Sequence, residues 1–206
     1  MTGAYHVIRA ALRDTWSDLL TTALVNLLWL IFTALVVTAP PATLALFYTA
    51  NRIAHGDPTD PGDFLRAVPR FFAVGWRWGL LNAAVIFLLV GDVFLTGRLS
   101  QSSVARFAQG LYLAALGVWL LLQLYLLPFL FEQDTPRLRL ALRNAAVFLG
   151  ANIPFSLAFA LLLFAALLAG ATLFLVTLAA GSVFLSLAAN HAVLSRLAAH
   201  RAPPGQ

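Results

Sequence analysis

From Leu19 to Val37 the chain carries no charged side chain. At about 1.5 Å per residue, a helix over that run reaches close to the ~30 Å of a bilayer's hydrocarbon core. Predominantly apolar runs recur at Trp76–Leu95, which holds Arg77 and Asp92 near its ends, and at Ala108–Phe131, about 145–169 and about 171–192. The sequence therefore predicts an all-α polytopic transmembrane bundle. Residues 1–18 form an interfacial amphipathic helix, 19–195 a single transmembrane domain and 196–206 a short cytosolic tail. With 61% hydrophobic and 10% charged residues in 206, no large soluble domain is left over.

The segment after the first run decides the topology. Pro40 and Pro41 stop one helix and suit the first turn of the next. If Pro41–His55 crosses, there are six spans with both termini on one side. If it does not, there are five plus a re-entrant helix. All 13 basic residues are Arg, and cytoplasmic loops carry the excess of basic residues. Six spans put Arg9, Arg13, Arg52, Arg66, Arg70, Arg77, Arg137, Arg139, Arg143, Arg196 and Arg201 on one side, with only Arg98 and Arg106 opposite. Five spans separate them nine to four. The stronger asymmetry favours six, with both ends cytoplasmic.

That asymmetry also accounts for the net charge of +5; a nucleic-acid protein would need a basic face on a soluble domain. The absence of Cys excludes disulfides, thiolate metal sites and Cys nucleophiles. The run at 19–37 exceeds a signal-peptide core, and the cleavage-like Val37-Thr38-Ala39 is followed by Pro40, so it reads as an uncleaved span.

Between the spans lie shorter amphipathic pieces. Tyr5, Ile8, Leu12, Trp16 and Leu19 recur at helical steps in the first of them, with Arg9, Arg13, Asp14 and Asp18 elsewhere on the turn. A turn-rich loop at 55–63 ends at Asp63, placed to cap a helix bearing Arg66 and Arg70. After Glu132-Gln133-Asp134-Thr135-Pro136 comes a third piece with Arg137, Arg139 and Arg143. An offset of 75 pairs Pro61 with Pro136, Leu65 with Leu140 and Gly75 with Gly150, a faint repeat of acidic turn, basic helix and span. Gly170 marks the turn between the last two spans. Small residues (Gly110, Gly117, Ala171, Ala179, Ala180, Gly181) allow close packing. Pro154 kinks the fifth span near Asn152.

No HExxH, GxSxG, Walker A or CxxC motif is present, so no catalytic residue, metal site or cofactor is expected. His6, His55, His191 and His200 stand in flanks without ligand spacing. Asp57, Asp60 and Asp63 have a DxxD rhythm, but Pro58, Pro61 and Gly62 interrupt it, which favours turn and cap duty. Two features are candidate sites. Asn26, Asn82, Gln123 and Asn152 each fall ~9–12 Å from the cytosolic end of a predicted span, a polar layer that either hydrogen-bonds helices together or lines a cavity open to the cytosol. Asn51 and Asn190 extend it. Arg66, Arg70, Arg77, Arg137, Arg139 and Arg143 form a cytosolic collar suited to anionic lipid or to a docked partner.

Thr38, Pro41, Ala42, Ala45, Leu46 and Tyr48, followed by Asp63-Phe64, resemble the YesL-like family of bacterial membrane proteins over residues 19–80; beyond that the likeness is one of architecture. Pro69 departs from the family's smoother loop helix. The resemblance implies an accessory role in carbohydrate uptake beside an ABC-transporter permease or a sensor. The expected function is accordingly non-enzymatic and regulatory, with a small-molecule transporter or exporter as the alternative. A homodimer is compatible with either.

Overall fold

A computed structural model describes residues 2–17, 19–99, 102–172 and 174–201, with side chains left out at 2, 17, 170–180 and 199–201. Asp18 and the packing of Ala171, Ala179 and Ala180 lie outside what is described. The fold is all-α. Its helices are α1 (Thr2–Ser17), α2 (Leu19–Ala34), α3 (Ala39–Ala54), α4 (Pro61–Arg70), α5 (Phe72–Leu99), α6 (Ser103–Phe131), α7 (Leu138–Ala151), α8 (Ile153–Thr172) and α9 (Phe174–Arg201).

The centre of the bundle is α3. Ala42, Leu44, Ala45, Leu46 and Ala50 are almost wholly buried, and α2, α4, α5, α6 and α9 all pack around it. It is one continuous helix of 16 residues, about 24 Å long. Pro40 and Pro41 occupy its first turn, where a missing N–H costs nothing. The link from α2 is closed by side chains. Thr38 Oγ1 donates to the Phe32 carbonyl, and Trp76 Nε1 donates to the Val37 carbonyl at 3.0 Å. Val36 takes a left-handed backbone (φ 54°), which strains a β-branched residue.

Gly75 lets α5 touch α3. A Cβ there would lie 2.7 Å from the Pro41 backbone. Beyond that contact α5 and α6 form a long hairpin whose outer faces are bare, with Phe87 78%, Leu88 62%, Phe107 69% and Leu111 55% exposed. These two helices are each long and apolar enough to cross a membrane, and counting each bent helix pair as one span raises the number among the described residues to four. Apolar surface on that scale belongs in lipid, and the chain is a membrane protein.

In α1 the bulky stripe Tyr5, Leu12 and Trp16 faces outward, while Ala4, Val7, Ala11 and Thr15 are buried against α8 and α9. Small side chains on that second face bring the backbones close and dock the helix on the bundle. Three local expectations change. The cap of α4 is Asp60; Asp63 sits at N3 and closes a reciprocal capping box with it. Gly170 is helical, because α8 continues to Thr172. α9 continues to Arg201, so residues 196–201 extend a helix instead of starting a tail.

The bend at Pro154 is sharp: α7 and α8 meet at 100°, with Asn152 as the residue between them. Pro69 falls near the end of α4, where it forfeits only a last-turn bond. The two halves do share the order of short helix, break and long apolar helix. The paired glycines differ, since nothing lies within 4 Å of a Cβ added at Gly150.

Candidate functional site: the cationic end of the bundle

The amide layer resolves into three separate contacts. Asn26, 1% exposed, accepts from the Ser182 backbone N–H at 3.1 Å and from the Ser182 hydroxyl, joining α2 to α9. Asn82 and Gln123 are brought together in a two-rung ladder between α5 and α6. Trp119 Nε1 donates to Asn82 Oδ1 at 3.1 Å, and Trp78 Nε1 donates to Gln123 Oε1 at 3.0 Å. Gln123 Nε2 is buried with no partner among the described residues. Asn152 donates to the Phe148 carbonyl at 3.0 Å, satisfying an orphan acceptor at the end of α7. Each amide thus closes a nearby helix contact.

A tighter polar cluster forms where α3 and α6 end against α9. Asn51 Nδ2 donates to Glu132 Oε1 at 2.8 Å and to Asn190 Oδ1 at 3.0 Å. His55 Nε2 lies 3.5 Å from the same Glu132 oxygen. Asn190 Nδ2 donates to the Ser186 carbonyl at 2.9 Å. The cluster ties the ends of α3 and α6 to the interior of α9. Asn51 and Asn190 are visible in the sequence as polar residues in apolar runs, whereas Glu132 reads there as part of a turn. Its position directly after the apolar run of α6 was the available signal.

The Arg collar divides in two. Arg66 bonds Asp63 at 2.8 Å and approaches Asp60 at 3.6 Å. Arg52 meets Asp63 at 3.0 Å and Asp57 at 3.8 Å. The hydrogen bond from Arg66 is the largest influence holding the Asp63 carboxyl below the usual aspartate range, and Asp63 in turn raises the Arg66 guanidinium. The aspartates of the DxxD rhythm are therefore spent on caps and internal Arg partners. Arg70 lies over Tyr48 and Phe71, 5.6 and 5.4 Å from the ring centroids. In contrast, Arg77, Arg137, Arg139 and Arg143 are exposed and form no ion pair among the described residues.

Two cavities open at this end. One, of about 460 Å³, lies between α1, α8 and α9 and is lined by His6, Phe155, His191, Ser195 and Arg196 among others. The other, of about 590 Å³, lies against α7 and is lined by Arg143, Asn144, Val147, Asn152 and Arg196. Arg196 is common to both and sits 4.0 Å over the Phe155 ring. His191 Nε2 stands 2.7 Å from Asp14, which also meets Arg13 at 3.1 Å. The sequence reading places Arg196 only in the charge asymmetry and His191 only in a flank, because their partners, Phe155 and Asp14, are remote in the chain. No group of three or more His, Asp or Glu placed to hold a metal occurs among the described residues. No family model, curated protein or solved structure matches this chain.

Proposed function

We propose that this is a non-enzymatic accessory protein of a bacterial cytoplasmic membrane that docks a transport partner through its cationic face. The partner best suited is the permease subunit of a carbohydrate transport system, or its sensor, as the YesL-like pattern around Thr38–Tyr48 implies. In this reading the chain spans six times and both termini are cytoplasmic.

One observation carries the proposal. Arg77, Arg137, Arg139 and Arg143 are exposed and without ion pairs among the described residues, while Arg52, Arg66 and Arg70 are engaged within the chain. Unpaired surface charges of one sign steer and orient an oppositely charged surface. The transporter alternative draws less support, because Asn26, Asn82 and Gln123 spend their acceptors on intramolecular bonds.

The test is purification of the tagged protein from native membranes in mild detergent, beside the variant Arg77→Gln/Arg137→Gln/Arg139→Gln. A permease or sensor recovered in stoichiometric amount with the wild type and lost with the variant is the expected result. Recovery of the chain alone, or as a homodimer, from both preparations contradicts it.

A further inference from the structure

We propose that a third cavity, between α6, α7 and α8, binds the carbonyl-bearing ring of an isoprenoid quinone, whose tail lies along α8. The cavity has a volume of about 390 Å³ and shares no lining residue with the two at the cationic end. That volume suits a small molecule. Leu121, Leu122 and Leu149 wall it, and no charged side chain lines it. At its mouth Val118, Ile153 and Leu157 are more than half exposed, so it opens sideways, where lipid surrounds α6. Gly150 also lines it, and nothing lies within 4 Å of a Cβ added there.

Ser156 is the one polar side chain lining this apolar space. The residue is 0% exposed, and its hydroxyl has no hydrogen-bond partner among the described residues. Its neighbour is the Tyr125 hydroxyl, which is buried and unpartnered in the same sense. Tyr125 follows Val118, Leu121 and Leu122 on one face of α6, six residues before that helix ends, or about 9 Å inside it. Were the two hydroxyls to bond each other, one of their two protons would still lack an acceptor. Water does not serve a donor at that depth in a bilayer, and an unmet buried donor is costly. A neutral carbonyl meets the need. A carboxylate or a phosphate would find no cation among the lining residues.

Two features favour a quinone over other carbonyl-bearing lipids. Ser156 lies at the closed end of the cavity, so a terminal group must reach it. The ester carbonyls of a glycerolipid sit at a branch between two chains and a polar head, whereas a quinone carbonyl sits on a terminal neutral ring with one tail. The tail also has a seat. From the mouth Leu157, Leu161, Phe164 and Leu168 follow at helical steps along α8, all more than half exposed. They form an apolar track about 16 Å long.

This inference needs no docked protein and stands apart from the proposed function. The full-length chain, purified and delipidated in mild detergent, is titrated with a short-tailed menaquinone, with bound ligand counted by native mass spectrometry. Geranylgeraniol, which has an isoprenoid tail and a hydroxyl but no ring, and phosphatidylglycerol are titrated in parallel. The menaquinone is expected to bind about tenfold more tightly than either, because only its ring fills the cavity and meets Ser156. Ser156→Ala should weaken menaquinone binding about fivefold through the lost hydrogen bond. Gly150→Leu, at an exposed position that tolerates bulk, should weaken it about tenfold by filling the cavity, and it decides the matter if Ser156→Ala does not fold. Val147→Leu, on α7 but outside this cavity, should leave it unchanged. Equal binding of geranylgeraniol or phosphatidylglycerol would overturn the proposal by assigning the cavity to any apolar chain. Undiminished menaquinone binding in folded Gly150→Leu would overturn it by placing the ligand elsewhere.

Discussion

The Asn51 side chain donates to the Glu132 carboxylate at 2.8 Å across 81 positions of sequence. The bond joins the end of the central helix to the end of the α6 span, and Asn190 accepts from the same amide nitrogen at 3.0 Å. Replacing Asn51 by Leu strips both acceptors of a buried donor. The expected cost is about 1–3 kcal/mol, against about 0.6 kcal/mol for Asn82→Leu, whose ladder resembles an ordinary interhelical bond in a membrane protein. Thermal unfolding in detergent checks the order: Asn51→Leu should melt clearly below Asn82→Leu. Equal melting points would demote the cluster.

Gly75 is the contact point between α3 and α5. In Gly75→Ala the new methyl meets the Pro41 backbone at 2.7 Å, and neither proline can move without unseating the start of α3. Overpacking of this kind costs about 1–3 kcal/mol. Its counterpart in the faint repeat, Gly150→Ala, enters open space and gains up to about 1 kcal/mol of helix propensity. Melting curves of the two variants should move in opposite directions.

The loop helix has a pH signature. Asp63 is held below the ordinary aspartate value, first by its bond from Arg66. A depressed carboxyl contributes stability above its unfolded pKa of about 3.9 and loses it as pH falls through the folded value. Asp63→Asn keeps an acceptor for the Asp60 N–H and removes the charge. The variant should melt about 2 °C below wild type at pH 7, a size set by the screening of a surface pair. The gap should close below pH ~4; a gap that persisted there would assign the effect to lost packing.

Much of the fold is legible in the sequence because its cues are local. Pro40-Pro41 marks a helix boundary through a missing donor and a fixed φ, and Pro154 marks a break for the same reason. The apolar runs announce helices by length alone. The bend of 100° at Asn152 is not legible, since α7 takes its direction from packing against α6. Which face of α1 meets the bundle is not legible either, for a related reason. Hydrophobicity singles out Tyr5, Leu12 and Trp16, but in lipid bulky apolar groups gain little by turning inward, and small residues such as Ala4 and Ala11 win the interface.

The candidate site shows the same division. Asp60 and Asp63 carry a capping pattern that sequence spacing exposes, although which of the two is the cap depends on where the helix starts. Arg66 and Arg70 look identical to Arg137 and Arg139 in composition. They differ because Asp63 and Tyr48 are folded against the first pair. The amides share a depth along their helices, and depth is readable from spacing. Rotation about the helix axis is not, and it sends Asn26 toward α9 while Asn82 and Gln123 face one another across α5 and α6.

The central claim is that Arg77, Arg137, Arg139 and Arg143 share one membrane side and that Arg106 lies on the other. Because the chain has no Cys, single substitutions report without background. Arg139→Cys and Arg106→Cys, expressed in a bacterial host, are treated with a membrane-impermeant maleimide in intact spheroplasts and in inverted membrane vesicles. The account predicts labelling of Arg106→Cys only in spheroplasts and of Arg139→Cys only in inverted vesicles. Labelling of both from the same side would contradict it.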